Sequence, residues 1–167
     1  MTLHEFNILP GEQLIQELTR CCGSSAWVQK MLPFIPADDM VELLEDAEEQ
    51  WYACSEADWK EAFSHHPRIG GADMLAKKFA ATSEWASGEQ SAVGSASPGI
   101  IADLAAANEA YEKKFGYIFI VSATGKTAEE MLVILKERLL NTPEEEIKNA
   151  IEELNKITLI RLQKLIS

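Results

Sequence analysis

The sequence predicts an all-α protein, a single-domain helical bundle of about eight helices with one buried extended segment. Three observations carry this expectation. Helix-opening pairs recur along the chain: Ser55 with Asp58, Thr127 with Glu130, and Thr142 with Glu145. In each pair the hydroxyl can accept from a first-turn N–H while the carboxylate reaches back. Apolar residues follow such starts at three- and four-residue spacing. Only one run, Tyr117 to Val121, favours a strand, and no second run offers it a partner.

The elements follow in order. Pro10 and Gly11 precede a helix over Glu12–Cys22, with Leu14, Ile15 and Leu18 on one face and Gly23 as its C-terminal glycine. Ser24 or Ser25 caps a short helix through Trp27, Val28 and Met31, which Pro33 and Pro36 end. Asp38 or Asp39 starts the next, with Met40, Leu43, Leu44 and Ala47 at helical spacing. The helix opened by Ser55 carries Trp59, Ala62 and Phe63 into a turn, His65-His66-Pro67-Arg68-Ile69-Gly70-Gly71. A proline disfavours helical geometry in the residue before it, so His66 is expected to leave the helix. An Ala-rich helical stretch, interrupted near Gly88, is expected from Met74 to about Gly94. Pro98 then suits the first turn of a helix reaching Phe115. The last two helices are expected from Thr127 to Leu140 and from Thr142 to about Ile166.

The chain has 167 residues and a formal net charge of −12, within reach of one domain spanning 1–167. No basic stripe is present, which argues against a nucleic-acid partner. An anionic ligand would need a local cation against this background. Cys21, Cys22 and Cys54 have neither disulfide nor metal-ligand spacing and are expected as buried thiols in a reducing cytoplasm. The N-terminus lacks the pattern of a signal peptide, the C-terminus lacks a peroxisomal ending, and no run is long enough to span a bilayer. The expected location is cytoplasmic, with no membrane partner.

Four places could carry chemistry. His66 sits where a turn can aim its ring, and imidazole exchanges protons near neutrality. Its structural alternative is a helix cap, while His65, the last helical residue, is expected to face solvent. Glu89-Gln90 could read donors and acceptors on a planar ring, or lie on a solvated helix face. Phe119, Ile120, Val121, Ser122 and Ala123 leave backbone groups outside any helix ladder, open to a polar heterocycle or simply to the core. Arg161 shares a stripe with Ile147, Ile151, Leu154, Thr158 and Leu165, so its guanidinium must snorkel or meet an anion. A metal site at His65, His66 and Asp73 lacks the second ligand cluster such a site needs.

Taken together, these residues resemble a known family, the decarboxylases of 2-oxo-4-hydroxy-4-carboxy-5-ureidoimidazoline (OHCU). The matching pieces are Phe63-Ser64-His65-His66-Pro67-Arg68-Ile69-Gly70, Glu89-Gln90, and Tyr111 through Val121. Leu132, Leu135, Arg138-Leu139, Lys156-Ile157 and Arg161-Leu162 also fit. The resemblance implies an all-helical fold, a homodimer, and conversion of the ureidoimidazoline to (S)-allantoin and carbon dioxide. It implies His66 as the proton donor, and Pro67, Glu89 and Gln90 as ligand contacts. It also implies the Phe119–Ala123 backbone and Arg161 as substrate-binding, with Glu89 expected to assist catalysis. Many members have Ser where this chain has Ala86, and Ser87, one residue later, is the candidate replacement. No cofactor is expected, because the ring can take up the electron pair left by carbon dioxide. The competing expectations are a non-catalytic acidic helical interaction module and a metal-dependent hydrolase.

Overall fold

The computed structural model describes residues 1–68 and 98–167. The helix expected from Met74 to about Gly94 therefore lies outside the described residues, as do Ser87, Glu89 and Gln90. Among the described residues there are eight α-helices and one short 3-10 turn, and no strand, which agrees with the all-helical class the sequence predicts; the first helix, Leu3–Asn7, is not among the expected elements. The chain divides into two compact units, one formed by residues 1–62 with 155–167 and the other by 63–154. The division falls within two helices.

The first unit holds α1 (Leu3–Asn7), α2 (Gly11–Cys21), α3 (Ser25–Met31), the 3-10 turn Leu32–Phe34, α4 (Met40–Tyr52) and most of α5 (Glu56–His65). Polar side chains fix where these helices start. Thr2 and Glu5 form a reciprocal capping box, Ser24 accepts from the Trp27 N–H, and Asp39 accepts from the N–H groups of Val41 and Glu42. Ser55 and Asp58 form the reciprocal pair expected for α5. The core is built on Phe6, Leu18, Trp27, Met31, Leu43 and Trp51. Two indole N–H groups of this unit find carbonyls, Trp27 donating to Ala47 and the half-buried Trp59 to Trp51, each at 2.9 Å. Two expectations need correction. Ile15 is exposed rather than part of the buried face of α2. That helix ends at Cys21 with Cys22 already extended, and Gly23 does not take the left-handed conformation of a terminating glycine.

The second unit holds the end of α5, the turn after it, α6 (Pro98–Phe115), α7 (Ala128–Arg138) and the first part of α8 (Pro143–Leu165). Gly116, at φ +83°, closes α6, and its N–H reaches the Glu112 carbonyl at 2.9 Å. Thr127 and Glu130 cap α7, while Thr142 and Glu145 cap α8. α7 stops at Arg138, two residues earlier than expected, and Leu139 and Leu140 form a turn. Leu104, Tyr111, Phe119, Val121, Ala123, Met131 and Leu135 make one apolar cluster. Tyr111 anchors its aromatic part, with ring centroids 4.6 Å from Phe115 and 5.4 Å from Phe119. The β-favouring run is non-helical, as expected from its lack of a strand partner, with Phe119, Ile120 and Val121 buried and Tyr117 and Ile118 half-buried.

Candidate active site

His66 is the first residue past α5, and its N–H closes the helix end on the Phe63 carbonyl at 3.2 Å. The proline that follows places it there, since it disfavours helical geometry at His66. The side chain is 6 % exposed, whereas His65 faces solvent as expected. Nδ1 lies 2.9 Å from the carbonyl oxygen of Pro67. A carbonyl can only accept, so Nδ1 carries a hydrogen and donates it. In the neutral ring Nε2 then holds the lone pair, and in the imidazolium it holds the exchangeable proton. The turn is tied to α6 by an ion pair of 2.7 Å between Arg68 and Glu112.

The segment Phe119–Ala123 is buried throughout. Its peptide groups are satisfied on one side by side chains. Arg138 Nη1 donates to the Ile120 carbonyl. The Ser122 N–H donates to Glu153 Oε2 at 2.8 Å, and Lys126 Nζ donates to the Ser122 carbonyl at 2.7 Å. The segment is therefore not wholly open to a ligand, and only part of its backbone is available.

Sequence reasoning missed the group behind this arrangement. Glu146 is 0 % exposed, and its Oε1 accepts from Arg138 Nε at 2.7 Å and from the Tyr111 hydroxyl at 2.6 Å. Its Oε2 accepts from Asn141 at 3.0 Å. The Arg138 guanidinium also lies 4.6 Å from the Phe119 ring centroid. Burial, then the hydrogen bond to Glu146, pushes the Tyr111 hydroxyl well above its ordinary range, which keeps it a neutral donor. No local signal marks these roles. Arg138 in a last turn and Glu146 in the first turn of Glu144-Glu145-Glu146 both look like ordinary partners of the helix dipole.

Arg161 lies in the first unit and is 4 % exposed, so it does not snorkel to water. The stripe expected around it is mostly buried: Ile151, Leu154, Thr158 and Leu165 are buried and Ile147 half-buried. Its charge acts on Cys21 and Cys22, though burial is the larger influence and pushes the Cys22 thiol up to about 12. All three cysteines are free and buried, as expected. Among the described residues, no group of three or more His, Cys, Asp or Glu could hold a metal ion, and no helix is long and apolar enough to cross a membrane.

Residues 7–163 match the model of the OHCU decarboxylase family. The chain belongs to that family. It is 39 % identical over 150 residues to the uric acid degradation bifunctional protein TTL of Arabidopsis thaliana, covering 88 % of this chain and 45 % of that protein. It is 39 % identical over 103 residues to the 2-oxo-4-hydroxy-4-carboxy-5-ureidoimidazoline decarboxylase of Amia calva, covering 60 % of this chain and 57 % of that one. The chain thus spans less than two thirds of the length of either relative. A crystal structure of an OHCU decarboxylase in the presence of (S)-allantoin superposes with a TM-score of 0.76 at 37 % identity, over 89 % of this chain and 96 % of the other. The family fold agrees with the all-helical architecture found here.

Proposed function

We propose that this chain releases carbon dioxide from 2-oxo-4-hydroxy-4-carboxy-5-ureidoimidazoline and forms (S)-allantoin, with His66 placing the proton. The observation that carries the reading is the buried imidazole whose Nδ1 is committed to the Pro67 carbonyl. Family membership supplies the substrate. When the bond to the carboxylate breaks, its electron pair passes into the adjacent unsaturated ring. One proton is consumed for each carbon dioxide released. That proton comes from Nε2 of the His66 imidazolium and reaches one face of the ring, which sets the product's chirality. The ring of His66 is left neutral with its hydrogen on Nδ1, the form that the Pro67 carbonyl stabilises, and is recharged from solvent.

The other roles follow the family pattern residue by residue. Glu89 holds the substrate's hydroxyl or ring N–H groups and orients His66. Gln90 and the Phe119–Ala123 backbone bind the amides of the ring and ureido group. Pro67 and Ser87 complete the contacts, and Arg161 attracts the substrate anion in a protein of net charge −12. No cofactor is required, because the substrate takes up its own electron pair. The active form is a homodimer and acts in the cytoplasm.

The test is to supply freshly generated urate-oxidation intermediates and follow circular dichroism. An enzyme-dependent burst of (S)-allantoin is the expected result. Racemic product at the spontaneous rate rejects the reading.

A further inference from the structure

We propose that Arg138, Glu153 and Lys126 form a positioning clamp that turns three peptide planes of the 120–123 segment, so that the Val121 N–H, the Val121 carbonyl and the Ala123 N–H face the substrate. The proposal rests on the function proposed above.

The argument starts from peptide geometry. A trans peptide is planar, and its C=O and N–H point in opposite directions. Among the described residues the sole cis bond is Ile35–Pro36, so all the peptides of this segment are trans. The Ile120 carbonyl points at Arg138, and the Val121 N–H of the same plane must point away from it. The Ser122 N–H points at Glu153, which turns the Val121 carbonyl the other way. The Ser122 carbonyl points at Lys126, which turns the Ala123 N–H away. The result is a donor, an acceptor and a donor on buried backbone, none hydrogen-bonded to another described residue. Buried peptide groups require partners. A ligand rich in amides, such as a ureido-substituted ring, supplies the complementary acceptor, donor and acceptor.

One edge of the segment is thus paired as in a sheet, with three side chains in place of a second strand. The three come from different places, Arg138 from the end of α7, Glu153 from α8 and Lys126 from the loop just before α7. Arg138 is itself fixed by Glu146, which Tyr111 and Asn141 hold in turn. A buried ion pair is weak evidence for stability, because desolvation offsets most of the attraction. Its evident effect here is geometric: it fixes one carbonyl of an irregular segment.

Two variants test the clamp, Arg138→Met and the double variant Lys126→Met/Glu153→Leu. With freshly prepared OHCU, the expected result is a KM raised tenfold or more and a kcat within threefold of the parent, with the melting transition retained. In 15N-labelled parent protein, (S)-allantoin should shift the amide signals of Val121 and Ala123, and at the same concentration it should leave them unmoved in the double variant. Should Arg138→Met fail to fold, the double variant alone decides, since Lys126 and Glu153 are only half-buried. An active parent with both KM and kcat unchanged in a folded double variant overturns the clamp while leaving the function standing. A parent that forms no enzyme-dependent (S)-allantoin strikes the function itself.

Discussion

Two irregular stretches of the second unit present different chemical groups, and they are held in different ways. The turn at His66 is fixed by its sequence neighbours: Phe63 closes the helix, Pro67 ejects the residue, and the Pro67 carbonyl orients the ring. The segment Phe119–Ala123 is fixed mostly from afar. Arg138 lies 18 residues from Ile120, and Glu153 lies 31 from Ser122. The first stretch presents one titratable atom, and the second presents fixed backbone dipoles. Proton transfer needs the one, and recognition of amides without reorganisation needs the other.

The largest effect that sharpens this contrast is expected at His66. His66→Ala should lower kcat by about 100-fold or more while the melting transition stays near the parent's, because only a proton carrier is lost. Stopped assays on fresh substrate, beside a thermal melt, check both halves. Damage at the distant support should instead be read in stability. Tyr111→Phe removes a buried donor from Glu146 and should cost about 1–3 kcal/mol in denaturant titration. A change within error there would mean that Glu146 does not depend on the hydroxyl.

The same contrast explains what the sequence made legible. Helix starts were readable because Thr127 with Glu130, and Ser55 with Asp58, act within three residues of each other. The exit of His66 from the helix was readable because proline acts on its immediate predecessor. The burial of Phe119 to Val121 was readable, because five apolar or aromatic residues in a row without a partner strand leave few other places, although Tyr117 and Ile118 stay half-buried. The clamp was not. Glu146 stands beside two exposed glutamates in an identical local context, and only the approach of Tyr111 and Arg138 separates it from them. Gly23 and Ile15 failed for a related reason, since tertiary packing buries Leu14, Leu18 and Cys21 but leaves Ile15 outside that face, and α2 ends differently. The places expected of Ser87, Glu89 and Gln90 fall outside the described residues, so their roles rest on the resemblance and family membership.

Smaller effects bound the comparison at the purely local end. Thr127→Ala removes one cap and should lower stability by about 1 kcal/mol, with activity kept, as a urea titration would register. The cysteines should respond least of all. Burial pushes Cys22 up to about 12 and Cys54 up to about 11, so both thiols stay protonated at pH 8. Iodoacetamide at that pH should leave the native protein unlabelled and modify all three cysteines after denaturation. Rapid labelling of the native chain would show that these helices open far more readily than their packing suggests.

The central claim is that the turn fixes which ring nitrogen of His66 hands over the proton. The direct measurement is the 15N spectrum of the imidazole in a His4→Gln/His65→Gln background, titrated until the ring is neutral. The account predicts the hydrogen on Nδ1 and the lone pair on Nε2. A neutral ring with its hydrogen on Nε2 would contradict it.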